Sequence, residues 1–93
     1  MNFARVLAES GLTKIELGQL YGVSRQTIHA WADGRPPRDR SLLARQAQVI
    51  TVALLSAIDR RLLPFGAMNK DARRARIASM ATKVQGLKPA PLQ

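Results

Sequence analysis

Arg25, Gln26, His29 and Ala30 fall at i, i+1, i+4 and i+5, a spacing that gathers them on one side of an α-helix. Their side chains suit the edges of nucleic-acid bases. An arginine donates two parallel hydrogen bonds to guanine O6 and N7, a glutamine pairs with adenine N6 and N7, and an alanine methyl packs on a thymine methyl. The plainer reading makes Arg25 a first-turn phosphate contact and His29 a solvated surface residue. Other chemistry has little to work with. The chain holds one histidine, no cysteine and six carboxylates placed mostly at helix caps and ends. That leaves no constellation for acid–base, nucleophilic or metal-assisted catalysis. The chain is therefore expected not to be an enzyme, and no cofactor, metal or small-molecule ligand is implied.

The elements that must position these four residues can be read from the flanking sequence. Phe3, Val6 and Leu7 fall at helical spacing, so a first short helix is expected from Asn2 to Glu9, stopped at Ser10-Gly11. Thr13 and Glu16 form the S/T-x-x-E capping box of a second helix running to Tyr21, which buries Leu17 and Leu20. Gly22 supplies the positive φ of a tight turn, Val23 fills the angle between helices, and Ser24 caps a third helix. Ile28 and Trp31, three residues apart, then face the core and turn Arg25, Gln26, His29 and Ala30 outward. A binding-site role for Trp31 is the lesser alternative to a core anchor. Asp33-Gly34 ends the helix, and Arg35-Pro36-Pro37-Arg38-Asp39-Arg40 reads as a stiff extended connector.

Beyond it, a long helix is expected from Ser41 to Leu63, with Leu43, Ala47, Ile50, Leu54 and Ala57 on one face and Leu42, Val49, Val52 and Leu55 off it. An apolar arc this wide calls for cover on both sides. Pro64-Phe65-Gly66 breaks the helix. Asn69 caps a last one to about Val84, with an Ile77, Met80, Ala81 and Val84 stripe expected to meet a second subunit and Gly86 past its end. Residues 87–93 read as a flexible tail.

The segment from Leu12 to Gly34, about a quarter of the chain, resembles the Cro and phage-repressor (Xre-type) helix-turn-helix family. The resemblance rests on Leu12, Thr13, Glu16, Leu17, Gly22, Val23, Ser24, Thr27, Ile28, Trp31 and Gly34, whose glycine, cap and core positions agree with the family pattern together. It implies that Arg25, Gln26 and Ala30 carry much of the base reading, with His29 beside them. It also implies that Thr13 and Lys14 meet a phosphate at the start of the second helix. Ser24 and Thr27 join the expected phosphate contacts, as do Arg35, Arg38 and Arg40, where the family's loop meets the flanking backbone. The alternative for the loop arginines is a solvated connector. Three positions depart from the pattern. Lys14 replaces a glutamine that buttresses the first reader, Ile15 stands where a polar residue is usual, and Gly18 replaces a small alanine. Ile15 is either a stray surface residue or a contact for the C-terminal half.

Charge points the same way as the motif. The 93 residues carry fifteen Lys and Arg against six Asp and Glu, a formal net charge of +9, which favours a polyanionic partner through counterion release. The excess is uneven: residues 1–40 hold six basic and four acidic side chains, and residues 41–93 hold nine and two. Arg60-Arg61 end the long helix, while Lys70, Arg73, Arg74, Arg76 and Lys83 crowd the last one. They form either a second nucleic-acid surface or a solvated face with Asp71 as local partner. The N-terminus lacks the apolar core of a signal peptide, and the uncharged run from Gln46 to Ile58 is short and polar for a bilayer span, so a cytoplasmic protein without a membrane partner is expected.

The sequence thus predicts an all-α fold of four to five helices. Residues 1–40 form a lambda-repressor-like helix-turn-helix region, and residues 41–86 a helical extension for dimerisation. The expected partner is double-stranded DNA, bound sequence-specifically by a homodimer. The resemblance adds the role of transcriptional regulator, a repressor first of all. Two alternatives stay open: a phage-type DNA-packaging or assembly protein forming a higher oligomer on DNA, and a protein-binding inhibitor module on the same fold.

Overall fold

The computed structural model describes residues 2–38, 40–63 and 68–87, which contain five α-helices and no strand. They are α1 (Phe3–Glu9), α2 (Lys14–Tyr21), α3 (Arg25–Ala32), α4 (Leu42–Asp59) and α5 (Lys70–Gln85).

Local chemistry accounts for most helix boundaries. The Thr13 hydroxyl accepts from the Glu16 amide, and the Glu16 carboxylate accepts from the Thr13 amide, closing the capping box of α2. Ser24, Ser41 and Asn69 cap α3, α4 and α5 through amides three residues on. Gly22, at φ 69°, ends α2 in the left-handed region that side chains disfavour.

α4 stops at Asp59, four residues short of the expected Leu63. Arg61 adopts a left-handed φ of 56°, its amide donating to the Ile58 carbonyl while the Leu62 amide reaches back to Ala57. This is the Schellman closure, here without a glycine. The apolar pattern continues through Leu62 and Leu63 although the helix does not. The expected break at Pro64-Phe65-Gly66, Asp39 of the connector, and residues 88–93 of the expected tail lie outside the described residues.

All five helices feed one core. Phe3, Val6, Leu12, Leu17, Leu20, Tyr21, Ile28, Trp31, Ala47, Ile50, Leu54, Ile77 and Val84 are buried together. Within it, the rings of Phe3, Tyr21 and Trp31 meet edge to face in a triangle with centroid separations of 5.4–5.6 Å, the arrangement that ring quadrupoles favour. The Tyr21 hydroxyl shares a 2.7 Å hydrogen bond with buried Thr51 of α4. Burial pushes the Tyr21 phenol up to about 12, against the opposing effect of that bond. The α4 core face is therefore Ala47, Ile50, Thr51 and Leu54. Leu43 and Ala57, at the two ends of the expected face, lie outside the core: Leu43 is 43% exposed and Ala57 is only partly buried.

α5 also departs from expectation. The stripe expected to face another subunit packs inside this chain: Ile77 and Val84 are buried, Met80 and Ala81 pack partly against the core, and the principal neighbour of α5 is α2. Polar contacts fix the direction. Arg73 donates to both oxygens of Glu16 at 2.6 Å and to the Gly11 carbonyl, while Gln85 donates to the carbonyl of Gln19. The beginning of α5 therefore lies beside the beginning of α2, and the end beside the end. Sequence periodicity gave the stripe and its spacing but not its partner.

α4, 18 residues with mean hydropathy 1.3, is by length and composition alone long and apolar enough to cross a bilayer. This differs from the expectation based on its uncharged run, because Leu42, Leu43 and Ala44 extend the apolar stretch past Arg45. One face of the helix is committed to the chain's own core.

Candidate nucleic-acid interface

α3 has a strongly two-sided surface because Ile28 and Trp31 are buried while Arg25, Gln26 and His29 are exposed. The four expected base readers, Arg25, Gln26, His29 and Ala30, line one open groove and are joined there by Arg35. Arg35 is placed by the end of α3, where its amide donates to the Ala30 carbonyl and the Gly34 amide to Trp31. Gly34 at φ 87° makes that reversal possible. The Arg35 guanidinium is held only loosely, 3.4 Å from the Asp33 carboxylate, with both side chains about two-thirds exposed. A pair this exposed contributes little to stability and leaves the guanidinium available to solvent and ligand.

The other expected contacts separate into three groups. Ser24 and Thr27 share a 2.9 Å bond between their hydroxyls, and the Thr27 amide donates to Ser24 Oγ, so both serve first to cap α3. Arg38 and Arg40 are exposed, and the Arg38 carbonyl accepts from both the amide and hydroxyl of Ser41. The connector is thereby joined to the start of α4. Thr13 is exposed at the start of α2 but lies in a different groove, shared with Ile15, Glu16, Gln19, Lys70, Arg73, Arg74 and Ile77.

Lys14, in the first turn of α2, reaches across to α3. Its Nζ lies 3.0 Å from His29 Nδ1. An ammonium only donates, so Nδ1 must be the acceptor, and the ring proton then sits on Nε2. His29 is thus set as a hydrogen-bond donor at its outer nitrogen. Sequence spacing placed Lys14 near the start of α2 and His29 on α3 without revealing that they meet.

Gly18 shapes the approach of α2 to α3. It is buried, and a Cβ built on it would stand 2.9 Å from the backbone oxygen of Val23. Even alanine, the residue common in the resembling family, would force the turn to shift. The Val23 amide also donates to the Gly18 carbonyl at 3.0 Å, closing the turn from the other side.

Glu16 was legible as a cap, but its second role was not. The Arg73 hydrogen bonds, helped by those from Thr13, hold its carboxyl well below the usual range, at about 2, against the opposing effect of burial. The same pairing raises the Arg73 guanidinium further. Of the five cations on α5, Arg73 is thus committed to structure within the chain.

Among the described residues, no three His, Asp or Glu side chains are placed together to hold a metal. No family model matches the chain, and neither a curated protein nor a solved structure matches it.

Proposed function

We propose that the protein is a sequence-specific double-stranded DNA-binding regulator in which α2, its turn and α3 act as a helix-turn-helix. In this reading α3 enters the major groove, and Arg25, Gln26 and His29 hydrogen-bond to base edges while the Ala30 methyl meets a thymine. The observation that carries it is the common groove of these four residues with Arg35. Its walls offer donors, an amide and a methyl rather than a catalytic set. The net charge of +9 supports a polyanionic partner.

The protein acts as a homodimer, since one recognition helix rarely supplies both affinity and specificity. The surface left for a second copy is the outer side of α4, where Leu42 is 71% and Val52 56% exposed. The role of repressor follows from the resemblance of residues 12–34 to the phage-repressor family.

Selection of bound duplexes from a random pool tests the reading. A palindromic consensus with half-sites about one helical turn apart is expected. Enrichment of no sequence would overturn specific recognition, and loss of all DNA affinity at physiological salt would move the site to a protein partner. A mass of eight or more subunits on DNA would instead select a packaging or assembly role.

A further inference from the structure

We propose that α5 is part of the nucleic-acid interface, with Lys70 and Arg74 holding the phosphodiester backbone beside Thr13 and Lys14. This rests on the DNA-binding reading above and extends its footprint to the C-terminal helix.

The placement follows from the packing. Because α5 lies alongside α2 with their beginnings together, its first turns stand next to the start of α2. Lys70 and Arg74, four residues apart, are exposed and line the groove that contains Thr13. The carboxylate in that groove, Glu16, is bound through both oxygens by Arg73. Its charge is compensated before any ligand arrives, and Asp71, the other nearby carboxylate, is exposed in the first turn of α5 without lining the groove, so Lys70 and Arg74 leave the rim net positive. Arg76 and Lys83, also exposed, do not line the groove.

The neighbouring α3 groove, reached through the Lys14–His29 contact, points to nucleic-acid backbone as the ligand. Arg35, Arg25 and His29 share the first groove, Lys14 contacts His29 at 3.0 Å, and Lys14 adjoins Thr13 in sequence. Thr13 then shares the second groove with Lys70 and Arg74. Cations thus stand on the α3 face and on the first turns of α5, with Lys14 of α2 touching the former. A duplex seated on α3 would bring its flanking phosphates toward Lys70 and Arg74. Contacts of this kind add affinity without reading sequence.

The test uses the full chain and two double variants, Lys70→Ala/Arg74→Ala and Arg76→Ala/Lys83→Ala. Binding is measured on a selected duplex and a random duplex across a salt series, with helix content and melting temperature checked for each variant. Removing two phosphate contacts should lower the slope of log K against log salt by about 1.8 and weaken binding at 0.1 M salt by roughly 30–100-fold on both duplexes. The base preference should not change. The Arg76→Ala/Lys83→Ala variant, which removes equal charge outside the groove, should lose much less. An unchanged slope for Lys70→Ala/Arg74→Ala, or equal losses in both variants, would overturn the proposal while leaving the α3 reading intact. Absence of DNA binding by the parent chain would overturn both, and nonspecific binding that still loses its slope with Lys70→Ala/Arg74→Ala would support α5 while refuting sequence reading by α3.

Discussion

The ammonium of Lys14, in the first turn of α2, donates to Nδ1 of His29 on the outer face of α3 at 3.0 Å. A residue expected only to meet phosphate thereby also determines which nitrogen of His29 carries the proton. The resemblance leads to the expectation that a residue at the Lys14 position supports Arg25; the contact instead runs to His29, one turn further along α3.

The first prediction concerns this pair. Lys14→Ala is expected to weaken binding to all duplexes and also to relax the base preference read by His29, whereas Arg25→Ala should cost about 1–3 kcal/mol at one base pair per half-site. A Lys14/His29 double-mutant cycle on the selected duplex should show coupling above about 0.5 kcal/mol. Additivity within about 0.3 kcal/mol would show that His29 acts without Lys14.

Gly18→Ala sets two effects against each other. Helix propensity favours alanine by about 1 kcal/mol, yet the new Cβ would meet the Val23 carbonyl oxygen at 2.9 Å, an immobile backbone atom. Overpacking of this kind costs roughly 1–3 kcal/mol, so the steric effect should win and the variant should melt below the parent. A higher melting temperature would show that the turn yields freely.

Glu16 makes stability depend on pH. Its folded-state value of about 2 lies below the usual 4.5, so its contribution is fully present above pH 4.5 and disappears as pH falls through 2. With a discount for solvent screening, the contribution is about 1–2 kcal/mol. Arg73→Gln should therefore be less stable than the parent at pH 7, with the difference narrowing between pH 4.5 and 2. Thermal melts at pH 7, 4 and 2.5 measure this, and a gap that stays constant would assign the loss to something other than Glu16 ionisation.

Assembly and folding should separate on the two C-terminal helices. Val84 is buried against the core, so Val84→Ser should lower the melting temperature rather than release a folded monomer. Val52 is 56% exposed on the outer side of α4, and Val52→Glu should fold normally yet sediment as a monomer. Its affinity for a two-half-site duplex should then fall by orders of magnitude, since the second half-site no longer gains from effective concentration. An unchanged dimer would place the interface elsewhere.

The features legible in the sequence are those whose causes lie within a few residues. Thr13 and Glu16 are three apart, Ser24 precedes its helix, and Gly22 must take a left-handed φ whatever surrounds it. The grouping of Arg25, Gln26, His29 and Ala30 in one groove was legible for a related reason: burying Ile28 and Trp31 turns that side of α3 outward. Failures began where a second element decides the outcome. The hydrophobic stripe of α5 fits a foreign surface or α2 equally well, and the contacts that decide, Arg73 to Glu16 and Gln85 to Gln19, span 57 and 66 residues. Helical periodicity likewise cannot show that Arg61 will reverse the chain while Leu62 and Leu63 continue the apolar pattern.

α5 grips α2 at both extremities, through Arg73 on Glu16 and Gly11 and through Gln85 on the carbonyls of Gln19 and Leu20. The consequence is one of timing. A helix of eight residues is too short to persist unaided, and its chief support is near the far end of the chain, at a high cost in loop closure. α2 is therefore expected to reach its full stability only when α5 is in place, so that early and late helices settle in one cooperative step.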